Sequence, residues 1–209
     1  MGIATYGDLK NALRDWLDND TLDSRADGFI GLVEARCNRI LRAPEMEART
    51  TLTIGGSPAN SIDLPSDFLE LRSVHLEDSP DEPLSFRSPQ FVESVRDGLS
   101  GNPKYYSVER QVLTFAPAAP ASTDFSVLYF QAIPGLTESN TTNWLLTANP
   151  DVYVYGVLCQ AEGYAVNDNR VAMWKQLLDE ALGEMRQVGD IVRLGAENTT
   201  RRTVRKGAA

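Results

Sequence analysis

The stretch Asn143 to Arg186, NWLLTANPDVYVYGVLCQAEGYAVNDNRVAMWKQLLDEALGEMR, decides the fold. Within it Asn149-Pro150-Asp151 has the form of a helix start. Asn offers an oxygen to the first free amides, Pro is tolerated at the first helical position, and Asp suits the positive end of the helix. From Val152 to Val166 apolar and aromatic residues run almost all the way round, which predicts a helix buried on most faces. Gly156, Cys159 and Gly163 recur at spacings of three and four and predict a flat stripe against which a neighbouring helix packs closely. Asn167-Asp168-Asn169 is expected to break this helix and cap the next, where Val171, Trp174, Leu177, Leu178, Ala181, Leu182, Met185 and Val188 repeat about every 3.6 residues. A helical hairpin follows from this pattern.

The N-terminus supplies a second helical pair. Thr5-Tyr6-Gly7-Asp8 has the spacing of a capping box with Asp in place of Glu, and Leu9, Leu13, Trp16 and Leu17 follow on one face. After a polar turn from Asp18 to Asp23, Ser24 to Asp27 can cap a helix carrying Phe29, Ile30, Val33, Cys37, Ile40 and Leu41, and Pro44 ends it. Two amphipathic pairs bury their stripes most simply in a small four-helix assembly.

Between the pairs the period changes from helical to alternating. Met46 to Ile54 reads as a strand, Gly55-Gly56-Ser57-Pro58 as a turn, and Ser61 to Leu64 as its returning partner. Leu71, Val74 and Leu76 mark another extended segment, interrupted by Pro80 to Pro83. Ser88-Pro89 starts a short helix with Phe91, Val92 and Val95, ended by Gly98. Lys104 to Val108, Val112 to Ala116 and Phe125 to Ala132 read as further strands. The predicted class is α+β: a helical body from residues 1–45 and 143–190, an inserted antiparallel β-rich module with one short helix at 46–142, and an extended C-terminal arm at 191–209.

Composition narrows the function. The 209 residues are 42% hydrophobic and 23% charged, as in an ordinary globular protein, with no apolar run of the roughly 20 residues a membrane span needs. No membrane role and no secretory signal are expected, so the sequons at Asn140 and Asn198 carry no weight. Cys37 and Cys159 lie in apolar helical contexts and are expected as reduced, buried thiols. A formal net charge of −9 argues against nucleic acid gripped over a broad basic surface.

A search for chemistry finds little. His75, the only histidine, lies between Val74 and Leu76 in a strand pattern, and no nucleophile motif accompanies it. Cys/His metal spacing is absent, and Asp18-Asn19-Asp20 lacks the glycine and closing Glu of a calcium loop. Glu77, Asp78, Asp81 and Glu82 read as a solvated turn, and Gly55-Gly56 lacks the Lys-Ser or Lys-Thr of a phosphate loop. No catalytic residue, cofactor site or metal site is assigned, and a binding or assembly role is favoured over an enzyme. The basic residues instead gather at the end of the chain. From residue 193 onward Arg193, Arg201, Arg202, Arg205 and Lys206 face only Glu197, a local balance of about +4 in an acidic protein. This composition suits an arm that binds an acidic partner; a DNA-binding regulator using the same tail on phosphates is the alternative.

Several blocks resemble a known family. Tyr6-Gly7-Asp8-Leu9 with Trp16-Leu17, Phe29 to Leu41 with Glu34, Arg36, Asn38 and Arg39, and Leu64-Pro65-Ser66-Asp67-Phe68-Leu69-Glu70-Leu71 are similar to head-to-tail adaptor, or head-completion, proteins of tailed bacteriophages. So are Pro103-Lys104-Tyr105-Tyr106, Asn143-Trp144-Leu145-Leu146, and Pro150 to Gly156. The blocks occur in the family's order over most of the chain. At the last helix break, where members often carry acidic residues, this chain has Asn167-Asp168-Asn169-Arg170. The resemblance implies a ring, typically of twelve copies, beneath the portal of a filled capsid, at the head-tail interface of the virion. Its implied partners are the portal protein, a tail or nozzle protein, and neighbouring copies, with genomic DNA passing through the lumen without specific binding. In such proteins the C-terminal segment commonly reaches onto the portal, so the resemblance implies that the five basic residues above are the portal-binding set.

Overall fold

The structure, a computed structural model, describes residues 2–17, 25–96, 101–165 and 168–206, with backbone alone at 168–169 and 190–206. The chain divides into two compact units, Met1–Glu45 with Ile133–Ala209, and Met46–Ala132. The strand unit therefore closes at Ala132, earlier than position 142. Ile133 and Leu136 donate their backbone N–H groups to Asn38 Oδ1 and Glu34 Oε1, both at 2.8 Å, so this stretch is held by the helical unit.

In the helical unit, α1 spans Tyr6–Leu17 and α2 spans Ala26–Ile40. The capping box forms as its spacing predicts: Asp8 N–H donates to Thr5 Oγ1 at 3.2 Å, while Thr5 N–H and hydroxyl donate to Asp8 Oδ2 at 3.0 and 2.8 Å. At the start of α2, Arg25 occupies the cap position without a side-chain cap bond, and Ser24, with the turn before it, lies outside the described residues. Short α4 (Trp144–Ala148) leads into α5 (Pro150–Tyr164), and α6 runs over Asp168–Lys206; α3 belongs to the strand unit described below. Pro150 takes the first turn of α5, but Asn149 makes no side-chain cap bond there. The capping asparagine is Asn143, whose Oδ1 accepts from Leu146 N–H at 2.8 Å at the start of α4. Asn167 lies outside the described residues.

Helix α5 is the hub. It packs against α1, α2, α4 and α6, and buries Val152, Tyr153, Val154, Gly156, Val157, Leu158, Ala161 and Glu162. The predicted flat stripe is real at one of its glycines only. A Cβ on Gly156 would lie 2.6 and 2.9 Å from the methyls of Val33 on α2, which is the close helix approach. Gly163 is exposed, and a Cβ there would meet nothing nearer than Val171 at 4.0 Å, because α5 is ending and its neighbours have diverged. On α6 the periodic stripe is buried at Trp174, Leu178 and Leu182 but has run out at Val188, which is exposed. Helix α6 continues past Gly189 to Lys206, so residues 191–206 are helical in backbone and not an extended chain. The segment lacks proline and carries four Arg and a Lys, residues that a helix accommodates well. Among the described residues no helix is long and apolar enough to cross a membrane.

The strand unit holds two sheets over one core. Its strands are β1 (Glu47–Thr53), β2 (Ala59–Asp63), β3 (Phe68–Leu76), β4 (Ser79–Pro83), β5 (Ser85–Phe86), β6 (Tyr105–Glu109), β7 (Val112–Ala119) and β8 (Asp124–Gln131). They assemble in the orders β1-β8-β3-β4 and β2-β7-β6-β5, antiparallel except for the short β5/β6 pair. Two expectations are corrected here. β2 does not return alongside β1; the Gly-Gly-Ser-Pro turn carries the chain into the other sheet, where β2 pairs with β7 while β1 pairs with β8. Pro80 to Pro83 do not merely interrupt, since they lie in β4, an edge strand whose outer side needs no amide donors. Phe115 and Phe125, both fully buried, meet with ring centroids 4.8 Å apart at the centre, and Ile54, Leu64, Val74, Leu113 and Val127 fill the space around them. The short helix α3 (Pro89–Arg96) covers β6 and β7 through Val92. Gly98, expected to end it, lies outside the described residues.

Candidate functional site

Three features were open to a functional reading: the isolated histidine, the acidic turn, and the basic C-terminal segment. His75 lies on β3, in register with Ser126 on β8 and Pro83 on β4. Its chain neighbours Val74 and Leu76 are buried, as the alternation predicts. Opposite it in register, Ser126 Oγ accepts a hydrogen bond from Arg49 at 3.3 Å. Glu77 and Asp78 form the turn between β3 and β4, and Asp81 and Glu82 lie on exposed β4; all four face solvent. Among the described residues no group of three or more His, Cys, Asp or Glu is placed to hold a metal ion. Cys37 is buried and unbridged, with burial pushing its thiol up to about 11, and Cys159 is half-buried with its thiol raised by the same cause. Both are poor nucleophiles for that reason.

The basic set lies on the last turns of α6. Arg193, Arg201, Arg202, Arg205 and Lys206 share one helical backbone, which sets Arg201 and Arg205, and Arg202 and Lys206, one turn apart. Their side chains lie outside the described residues. Upstream, α6 is seated firmly. Arg36 of α2 forms an ion pair with Asp179 at 2.6 Å, Trp174 packs on Trp16 and Tyr155 with ring centroids 5.4 and 6.0 Å away, and Gly189 is buried where a Cβ would stand 3.3 Å from the Arg42 carbonyl oxygen. Near the start of α6, Arg170 reaches back to Glu162 of α5 at 3.2 Å. The body thus fixes the point from which the basic segment departs.

The strand unit offers a different kind of surface. A groove of about 410 Å³ runs between β3 and β6, lined by Phe68, Leu71, Tyr106 and Val108 and bordered by Phe86. Phe86 is 61% exposed although its ring meets Tyr106 at 5.6 Å. Beside it the Arg87 guanidinium lies 5.9 and 5.6 Å from the rings of Phe91 and Tyr105. Phe86 and Phe91 thus leave an aromatic edge exposed on this unit. The sequence reading did not single it out, because Phe86 and Phe91 look like ordinary core residues until the short β5 is seen at a sheet edge.

The polar core of the helical unit was also missed. Glu34 Oε1 accepts from Tyr153 O–H at 3.0 Å and from Leu136 N–H at 2.8 Å, and Asn143 Nδ2 donates to Tyr153 Oη at 2.7 Å and to the Pro134 carbonyl at 2.8 Å. Burial raises the Glu34 carboxyl, partly offset by these two donors, and raises Tyr153 as well. The signal was available: Glu34 follows Ile30 by four and precedes Cys37 by three, squarely on the apolar face of α2. Glu34 and Tyr153 join segments far apart in sequence, a polar junction between α2 and α5.

Among family profiles, that of the SU10 adaptor proteins matches residues 4–205, nearly the full chain. No curated protein matches it. The matched range takes in both helical pairs, the strand unit and the basic segment up to Arg205. The chain belongs to the SU10 adaptor protein family, a family of phage head-tail adaptors.

Proposed function

We propose that this adaptor forms a ring beneath the phage portal, extends the DNA channel and presents the docking surface for the tail. The observation that carries the reading is the family match over residues 4–205, joined to a charge distribution that suits the position. With five basic residues gathered in the last 17, an acidic body remains. An acidic lumen repels phosphate and lets DNA slide without being held. The basic end of α6 is the portal-binding arm in this reading, with Arg193, Arg201, Arg202, Arg205 and Lys206 meeting carboxylates on the portal. Exposed pairs contribute only about 0.2 to 1 kcal/mol each, but copies acting together in a ring convert weak contacts into stable attachment through effective concentration. The exposed aromatic edge of the strand unit is the surface for neighbouring copies or for the tail or nozzle protein below.

The test is co-sedimentation with purified portal across a salt series. Full-length protein is expected to bind at low salt and to weaken as salt rises, while a chain ending at Gly189 keeps a cooperative unfolding transition and loses binding. Undiminished binding by the shortened chain would remove the arm from the account.

A further inference from the structure

Strand β1 ends its sheet, and its outer edge is unpaired. The register with β8 runs unbroken from Glu47↔Phe130 to Thr53↔Asp124, and just beyond it Ile54 N–H donates to the Thr123 carbonyl at 2.9 Å. Antiparallel pairing alternates, so the N–H and C=O groups of Leu52, Thr50 and Ala48 turn toward β8 as well, and those of Glu47, Arg49, Thr51 and Thr53 turn to the open edge. Among the described residues no backbone group bonds to that edge. Ala48 and Leu52 pack against the core and are still only half-buried, since no strand lies beyond them. The other sheet edges are guarded: β4 carries Pro80 and Pro83 and a register shift, β5 has two residues, and β2 shifts register between Ala59 and Ser61. β1 has seven residues with no proline, lysine or bulge. Its polar side chains do not shield the edge either. Glu47 pairs with Arg72 at 3.4 Å, Arg49 donates to Ser126 Oγ at 3.3 Å, and the Thr51 and Thr53 hydroxyls donate to Glu77 and Asp124 at 3.3 and 2.6 Å, all reaching back toward β8 and β3.

We propose that the occupant of this edge is β1 of a second copy of the chain, paired antiparallel about a two-fold axis at Thr50. The strand is self-complementary in that register and in no other of equal extent. Outward-turned groups must meet outward-turned groups, so the axis passes through a residue and not between two. An axis at Arg49 sets two arginines directly opposite each other, which is unfavourable. An axis at Thr51 leaves Glu47 facing Gly55, beyond the end of the strand. An axis at Thr50 engages the whole of β1: Ala48 meets Leu52 on the side facing the core, while Glu47 meets Thr53 and Arg49 meets Thr51 on the other, with no like charges directly opposed. The two copies then share one continuous sheet, held by main-chain hydrogen bonds and by cover for the half-buried Ala48 and Leu52. A two-fold contact closes on two copies, whereas a ring is built from head-to-tail contacts. The pair is therefore a form of the free protein, and it does not rest on the ring reading.

The test is sedimentation equilibrium of the full-length protein without portal, over a concentration series up to its solubility limit. Wild type is expected to pass reversibly from monomer to dimer. Thr51→Pro removes an N–H that faces the open edge, a place where a strand tolerates proline, and should keep a cooperative unfolding transition while remaining monomeric throughout. The register is read by oxidation. Thr50 lies opposite Thr50 of the second copy at a non-hydrogen-bonded position, where the backbones stand close enough for a disulfide. Thr50→Cys should therefore form a covalent dimer, and Thr51→Cys, opposite Arg49, should cross-link many-fold less. Wild type that stays monomeric at every concentration, a dimer that Thr51→Pro leaves intact, or association only into larger species would overturn the proposal. Should Thr51→Pro fail to fold, the cysteine pair decides it: equal cross-linking of the two variants, or none in either, would count against β1 pairing.

Discussion

The Tyr153 hydroxyl donates to Glu34 Oε1 at 3.0 Å, joining α5 to α2 across 119 positions of sequence. The same hydroxyl accepts from Asn143, so one side chain ties together two helices and the cap of a third. Removing it leaves a buried amide hydrogen without an acceptor and a buried carboxylate with one donor fewer. Tyr153→Phe is expected to cost about 1 to 3 kcal/mol in urea unfolding. A variant as stable as the parent would show that the junction is dispensable.

Gly156 and Gly163 lie two turns apart on one helix and should respond oppositely. Gly156→Ala forces a methyl into the Val33 side chain, which is stiff at χ1 and cannot swing away, and is expected to cost about 1 to 3 kcal/mol. Val33→Ala in the same chain should recover part of that loss, a coupling read directly from a double-mutant cycle. Gly163→Ala meets only open space and should leave stability unchanged or raise it by up to about 1 kcal/mol through helix propensity.

At the start of α1 the hydrogen bond from the Thr5 hydroxyl, then that from the Ala4 N–H, hold the Asp8 carboxyl below its ordinary value. A carboxylate depressed on folding stabilises above its unfolded value, and that contribution fades as pH falls through the folded one. The difference in Tm between wild type and Asp8→Asn is therefore expected near neutral pH and should close as pH is lowered below the ordinary Asp range. A difference that is constant with pH would show that the loss is steric.

In the strand unit, Phe115 and Phe125 are fully buried and stand on β7 and β8, strands of opposite sheets. Phe115→Ala opens a cavity at the centre of this core and is expected to cost about 3 to 5 kcal/mol. Chemical unfolding followed by near-ultraviolet circular dichroism checks it, and a loss below about 1 kcal/mol would show that the sheets do not depend on this contact.

How much of this was legible in the sequence follows from how local each feature is. The helices of Leu9 and Leu13 and of Trp174, Leu178 and Leu182 are written in a repeat of one turn, and the Thr5/Asp8 box in a spacing of three; each is a short-range pattern that needs no partner to be recognised. Strand segments were legible for the same reason, but strand pairing was not. Whether β2 returns to β1 or crosses to β7 depends on which sheet buries Ile62 and Leu113 together, and nothing near Gly55-Gly56 encodes that. Asn149 looked like the cap because Pro150 follows it, yet the short α4 turns into α5 there and Asn143 takes the role one element earlier. The flat stripe on α5 was visible, but only packing shows that Val33 fills it at Gly156 while Gly163 stands clear. The basic segment was plain from charge alone. The aromatic edge at Phe86 and the polar junction at Glu34 are products of tertiary placement.

The central claim is that this chain assembles as a ring on the portal, and the most direct measurement is the native mass of the species formed when the two proteins are mixed at moderate salt. The account predicts a discrete complex holding a fixed number of adaptor copies per portal, absent when the adaptor ends at Gly189. Adaptor that stays free at every ratio tested, or that binds duplex DNA with steep salt dependence while ignoring the portal, would contradict it.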